Sequence, residues 1–233
     1  MRVEVVGPAG PTLGSGQEAD ALVWWNPAAS PFPVIEGQGW TKEVKAPYDR
    51  LPARAEKIVR KPVWALSRNA TGLTVRFKTT ARSITVHYAV KGKLNAPHFA
   101  TTGMSGLDLY AVDNKGEWHW APGKYDFGEK PGDTISYTFE ISKADTDRET
   151  GCEYILYLPI YNTVDWLKIG TPRGALFEPL PTRAEKPIAI YGTSITQGAC
   201  ASRPGRAWPS IVGRALNTPV INLGFSGNGT LDP

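Results

Sequence analysis

The run Ser83-Ile84-Thr85-Val86-His87-Tyr88-Ala89-Val90 alternates polar and apolar side chains along most of its length. Side chains of an extended chain point to opposite faces in turn. Alternation therefore gives one buried and one wet face, the mark of a β-strand at the boundary of a core. Leu73-Thr74-Val75-Arg76-Phe77-Lys78 repeats the pattern. Shorter candidates lie at residues 107–112, 118–120, 135–141, 154–160 and 167–169, separated by turn formers such as Asp113-Asn114-Lys115-Gly116 and Pro131-Gly132-Asp133. The 20 prolines and 24 glycines among 233 residues favour short strands and turns over long helices. The spacing predicts an antiparallel β-sandwich, jelly-roll-like, over residues 1–180. Its opening stretch, to about Lys61, is rich in Pro, Gly and Trp and reads as loops and short edge strands. Within it the basic residues Arg50, Arg54, Lys57, Arg60 and Lys61 read as a solvated loop.

After a linker at residues 181–186 the character changes. Pro187-Ile188-Ala189-Ile190-Tyr191 is apolar without alternation, as expected of a parallel strand buried on both faces. Trp208, Ile211, Val212, Ala215 and Leu216 recur at helical spacing, with Pro209 tolerable in the first turn. Val220-Ile221-Asn222-Leu223 then reads as a second parallel strand. Strand, turn, helix and strand make a βαβ unit over residues 187–233. Two such strands and one helix leave Ile188, Ile190, Val220 and Ile221 short of partners, because a doubly wound sheet needs helices on both faces.

Composition removes several classes of function. The net charge of +4 is scattered and no basic stripe interleaves with aromatics, so no nucleic-acid partner is expected. No apolar run approaches the roughly 20 residues of a membrane span. Met1-Arg2-Val3-Glu4 lacks the apolar core of a signal peptide, which implies a cytoplasmic chain unless a leader is removed beforehand. Cys152 and Cys200 are read as free thiols. No Cys, His and carboxylate grouping has the sequence spacing of a metal site, and no cofactor is expected. The eight tryptophans could cover a ligand or simply fill cores and interfaces.

The chemistry concentrates in Gly192-Thr193-Ser194-Ile195-Thr196-Gln197-Gly198. A serine just past a buried strand, at the start of a helical turn, has N–H groups beside it that can receive an oxyanion. A serine in that place can equally be a plain helix cap. The second loop, Asn222-Leu223-Gly224-Phe225-Ser226-Gly227-Asn228-Gly229, follows the next parallel strand and so lies at the same sheet edge. Ligands of open α/β sheets bind there.

Together these two loops resemble the first two sequence blocks of the SGNH (GDSL-type) hydrolases. The resemblance implies a flavodoxin-like α/β/α domain of which residues 187–233 are the start, and ester hydrolysis or acyl transfer. It implies Ser194 as nucleophile and one oxyanion N–H, and Gly227 as the second oxyanion N–H. Thr193 stands where the GDS form has aspartate. Gly106-Leu107-Asp108-Leu109-Tyr110 resembles the G-x-D-L-Y signature of the β-sandwich domain that precedes one bacterial branch of these esterases. Asp108 and Asn228 are the candidate substrate contacts. For Asp108 the favoured alternative is a buried carboxylate bonded to backbone at a strand end.

The family takes its base from a D-x-x-H block and a further oxyanion donor from a third block. Neither block occurs in these 233 residues, so the base histidine and its aspartate are expected outside this chain. The remainder of the hydrolase domain is then an expected partner, and little turnover is expected without it. His87 reads as an exposed sheet residue, while His98 and His119 could face a substrate from the sandwich side. The substrate implied is a small acyl ester, with acetylated carbohydrate preferred. The alternatives are an acyltransferase using the same site, or a carbohydrate-binding sandwich with a vestigial hydrolase start.

Overall fold

The computed structural model describes residues 21–113, 115–141 and 150–231. The loop reading of residues 1–20, the absence of a leader core at Met1-Arg2-Val3-Glu4 and Asn114 of the predicted turn lie outside them. In chain order the elements are β1 (Leu22–Trp25), β2 (Ile35–Glu36), α1 (Lys61–Ser67), β3 (Thr74–Thr79), β4 (Ser83–Val90), α2 (Thr101–Met104), β5 (Asp108–Val112), β6 (Trp118–Ala121) and β7 (Gly123–Asp126). They continue with β8 (Ile135–Glu140), β9 (Cys152–Tyr157), β10 (Val164–Pro172), β11 (Phe177–Pro179), β12 (Ile188–Gly192), α3 (Ser194–Gln197), α4 (Trp208–Ala215) and β13 (Val220–Gly224).

Two antiparallel sheets make a β-sandwich. One runs β1-β10-β4-β8-β7, the other β11-β3-β9-β5-β6 with β2 beside β3. The alternation of β3 and β4 sets their inner faces. Val75, Phe77, Ile84, Val86 and Tyr88 are buried in one core with Leu109, Phe139, Tyr154, Leu156, Leu167 and Ile169. Phe77 lies between Tyr154 and Phe177, with ring centroids 5.6 and 5.3 Å away. Strands β1 and β2 fall in the stretch read as loops and short edge strands, while β7 and β11 carry no sequence signal and each lies at a sheet edge. Edge strands are held by one neighbour and need little alternation of their own. β1 also corrects the reading of His87: the Trp24 ring lies 4.5 Å from it, the imidazole is half-buried, and that burial lowers its pKa.

Beyond the sandwich, β12 and β13 pair in parallel, with Gly192 opposite Gly224. β12 is not buried on both faces. Ala189 and Tyr191 are exposed, since among the described residues only β13 flanks it. The stripe predicted for α4 is also turned outward: Trp208, Ile211 and Leu216 are 41%, 40% and 60% exposed. The buried positions are Pro209 and Ser210, and Gly213 lets the helix approach Val220. A two-stranded sheet is too narrow to cover a whole helix face.

The reading of Arg50–Lys61 as a solvated loop holds for the exposed Arg54, Lys57, Arg60 and Lys61 and fails at Arg50. Residues 37–73, between β2 and β3, include α1 and a 3-10 turn at Ala53–Lys57. They form a second small core in which Leu51, Ala55 and Val63 bury Phe225 from the far end of the chain. Arg50 is only 1% exposed. Its Nη1 donates to the carbonyls of Asn222 (2.8 Å) and Gly224 (3.0 Å), Nη2 to Leu66 (2.6 Å) and Nε to Asn69 (2.9 Å). The guanidinium also lies 4.9 Å from the Phe225 ring centroid. Burial pulls its pKa down to about 9, which leaves it charged at neutral pH. Charge spacing along a sequence cannot reveal a partner 172 residues away. Arg50→Met, which removes every donor while roughly keeping the volume, should lower unfolding free energy by at least about 3 kcal/mol, because hydrogen bonds from a charged donor are lost and buried carbonyls are left unmet. Urea unfolding followed by tryptophan fluorescence measures it, and a loss under about 1 kcal/mol would contradict this role for Arg50.

Candidate active site

β12 and β13 end side by side, and both following loops turn over the same edge. After β12, Thr193 leads into the four-residue helix α3, with Ser194 at its first position. Gly198 closes the helix at φ +108° and donates to the Ser194 carbonyl at 3.0 Å. The Ser194 side chain is half-buried, and its hydroxyl has no hydrogen-bond partner among the described residues. After β13, the Phe225 N–H donates to the Gly192 carbonyl at 2.9 Å, which joins the two loops at their base.

Phe225-Ser226-Gly227-Asn228 is a β-turn closed by Asn228 N–H to Phe225 C=O at 2.8 Å. Gly227 takes the third position at φ +66°, the sign a type II turn demands and most side chains resist. A Cβ there would meet nothing within 4 Å, so backbone conformation, not crowding, favours glycine. The Gly227 N–H has no acceptor among the described residues. Gly224 is constrained in the opposite way, because any Cβ would run into the backbone of Gln197 in α3.

Three polar side chains that pattern reading missed hold these loops. Gln197 is fully buried, and its Oε1 accepts the Ser226 N–H at 2.9 Å. Its own carbonyl accepts the Thr71 hydroxyl at 2.6 Å. Asn222 is buried in β13, donating from Nδ2 to the Thr196 carbonyl (2.8 Å) and accepting the Gly224 N–H at Oδ1 (2.8 Å). A polar residue inside an apolar strand was the one available signal. Arg60 donates from Nη1 to Asn228 Oδ1 (2.6 Å) and from Nη2 to Thr230 Oγ1 (2.8 Å). Asn228 Nδ2 donates to the Ser226 carbonyl at 2.8 Å. Both ends of this candidate substrate contact are therefore engaged within the chain.

Asp108 begins β5 and is 1% exposed. Its Oδ1 accepts Trp120 Nε1–H at 2.7 Å and its Oδ2 accepts the Gly205 N–H at 3.0 Å. Arg203 Nε lies 3.1 Å from Oδ2 but is not aligned as a hydrogen bond, so this pairing is Coulombic. The Arg203 guanidinium covers the Trp120 ring at 4.1 Å. The carboxylate thus ties the sandwich to the loop ahead of α4, the structural alternative foreseen for it. Each of its oxygens accepts one hydrogen bond from within the chain, and the residue is 1% exposed.

No histidine hydrogen-bonds to Ser194 among the described residues. His98 is exposed in the loop before α2, and His119 Nε2 lies 2.8 Å from Asp113 Oδ2. Asp113, Glu117 and His119 bring ligand-type atoms within 4.8 Å of one another across the β5–β6 hairpin, a grouping that linear spacing had hidden. Asp113 Oδ1 also accepts the N–H groups of Lys115 and Glu117, and these bonds with that to His119 draw its pKa down to about 2. Cys152 is buried, Cys200 is exposed, and no disulfide joins them. No helix among the described residues is long and apolar enough to cross a membrane.

Residues 22–177 match the family described as GxDLY, the N-terminus of SGNH-hydrolase-type esterases. The chain belongs to the GxDLY-bearing SGNH hydrolases. Residues 185–233 match the GDSL-like lipase/acylhydrolase family, so both halves of the expected resemblance stand. A crystal structure from Bacteroides ovatus ATCC 8483, described as a GDSL-like lipase, superposes with a TM-score of 0.77 at 28% identity, covering 91% of this chain and 59% of that one. The salicylyl-acyltransferase SsfX3 of a tetracycline biosynthetic pathway gives 0.61 at 17% identity, covering 90% and 55%, a likeness of fold. The chain thus spans somewhat over half the length of these solved structures. No curated protein matches it.

In this GxDLY-type chain the signature aspartate has a measurable consequence. Burial raises the Asp108 pKa to about 6 from an ordinary 3.8, against the opposing pull of Arg203. The folded chain then holds this proton more tightly than the unfolded one. Its contribution to stability is complete below about pH 4 and is lost as pH rises through 6. The stability difference between wild type and Asp108→Asn should therefore shrink between pH 4 and 6.5, by up to about 3 kcal/mol. Paired urea melts across that range measure it, and a difference that is flat or grows with pH would refute the shift.

Proposed function

We propose that this chain carries the nucleophile half of a serine esterase site. By sequence the domain bounds are 1–180 for the GxDLY sandwich domain, 181–186 for a linker and 187–233 for the start of a flavodoxin-like hydrolase domain, whose described part is the βαβ unit. Ser194 Oγ attacks an ester carbonyl, giving a tetrahedral oxyanion that accepts hydrogen bonds from the Ser194 and Gly227 N–H groups. Collapse expels the alcohol and leaves an acyl-Ser194 ester, which water then cleaves to release the acid. The proton of Oγ passes to a histidine of a D-x-x-H block and on to the leaving alcohol. None of His87, His98 and His119 hydrogen-bonds to Ser194, which is consistent with a base from elsewhere.

The observation that carries this reading is the meeting of the Ser194 turn with the open, positive-φ turn at Gly227, joined by the Phe225 N–H on the Gly192 carbonyl. A helix cap would need no such partner loop. The proposed substrate is a small acyl ester, acetyl for preference. Carbohydrate as the alcohol is proposed by analogy with esterases that carry appended sandwich domains.

In the full encoded protein, Ser194→Ala should lower kcat on p-nitrophenyl acetate by at least about 1,000-fold while melting within a few degrees of wild type. Retention of activity would end the nucleophile reading. Added alcohols that divert the acyl group into new esters would instead favour the acyltransferase alternative, for the same site.

A further inference from the structure

An oxyanion donor is useful only if it is fixed before the reaction, since a donor that must be ordered during the reaction loses most of its advantage. The Gly227 turn is poorly suited to hold itself. Glycines occupy positions 224, 227 and 229, and glycine loses the most conformational freedom on being ordered. One backbone hydrogen bond, Asn228 to Phe225, closes the turn. Its incoming limb is held by Gln197 Oε1 on the Ser226 N–H, a contact within the βαβ unit. Its outgoing limb is held from a different part of the chain. There the exposed Arg60, just ahead of α1, spreads its guanidinium across Asn228 Oδ1 and Thr230 Oγ1.

We infer that Arg60 is a positioning residue for the oxyanion turn, acting through Asn228 and Thr230 on the Gly227 N–H. The inference rests on the Ser194 and Gly227 reading above. The planar fork matters, because two donors on one rigid group fix both the distance and the orientation of the limb they hold. The amide of Asn228 then passes the constraint inward, from Arg60 at Oδ1 to the Ser226 carbonyl at Nδ2. Arg60 thus reaches the peptide before Gly227 through one side chain. Ser226 is in this way gripped at its N–H by Gln197 and at its carbonyl by Asn228. The segment that bears Arg60 is itself anchored, since Leu51, Ala55 and Val63 pack on Phe225 at the root of the same turn.

The test uses Arg60→Ala and Arg60→Lys in the full encoded protein, with Arg54→Ala as a control from the same segment, where the arginine pairs with Glu43 instead. Hydrogen exchange of a peptide spanning residues 226–230 should accelerate about tenfold or more in Arg60→Ala, with peptides from β12 and α4 unchanged. On p-nitrophenyl acetate kcat should fall about 10- to 100-fold, the scale of a misplaced catalytic group, with KM within about twofold. Arg60→Lys, which keeps the charge but not the fork, should fall between, and Arg54→Ala should match wild type. Unchanged exchange in Arg60→Ala overturns the inference, as does faster exchange with kcat intact. A raised KM confined to anionic esters also overturns it, because Arg60 would then be a substrate-charge contact. If Ser194→Ala is active, the underlying reading fails and takes this inference with it. If Ser194→Ala is inactive and Arg60→Ala is not impaired, this inference alone fails.

Discussion

Backbone carbonyls two residues apart on a strand face the same edge, and at Asn222 and Gly224 of β13 that edge is met by one buried arginine. Unmet carbonyls in a dry seam are costly, and so is a buried guanidinium. Arg50 answers both demands, because all four of its partners are backbone carbonyls and none is a carboxylate. The placement of β13 and its loop relative to the sandwich depends on that exchange. Phe225, packed among Leu51, Ala55 and Val63, adds apolar burial at the same place.

The seam has a second fastening at the other end of the βαβ unit. Asp108 receives Trp120 from its own sandwich sheet and Gly205 from the loop before α4. Thr102 Oγ1 donates to the Ser202 carbonyl at 2.6 Å between the two. Asp108 thus has a physical role that explains the residue type in G-x-D-L-Y. A short carboxylate at the start of β5 can accept from both sides of the seam at once. A longer glutamate would displace one of those partners, and an asparagine would present a donor to another.

Much of the sandwich was legible in its alternation, because β3 and β4 have neighbours on both sides and their pleat decides which residues are buried. Strands β7 and β11 were not, since an edge strand can be imposed by its neighbour. The parallel strands and Ser194 at the helical turn were equally legible, through continuous apolar runs and glycine punctuation. Arg50, Arg60 and Gln197 were hidden for a common reason. Each acts through long-range polar contacts that have no period and no fixed spacing. Asp108 sits buried at a strand end, as the structural alternative for it described, but its partner across the seam could not be named. His87 was misread because a short edge strand gives no sign of which neighbour it will cover.

Residues 37–73 precede β13 by about 150 positions, so a ribosome delivers the receptor long before the strand it receives. In the interval the carbonyls of Leu66 and Asn69 are available to Nη2 and Nε of Arg50, and Nη1 can be hydrated. When β13 emerges its two carbonyls can take the place of that water on Nη1. Residues 37–73 can thus serve as a template in synthesis, with the βαβ unit shaped against them.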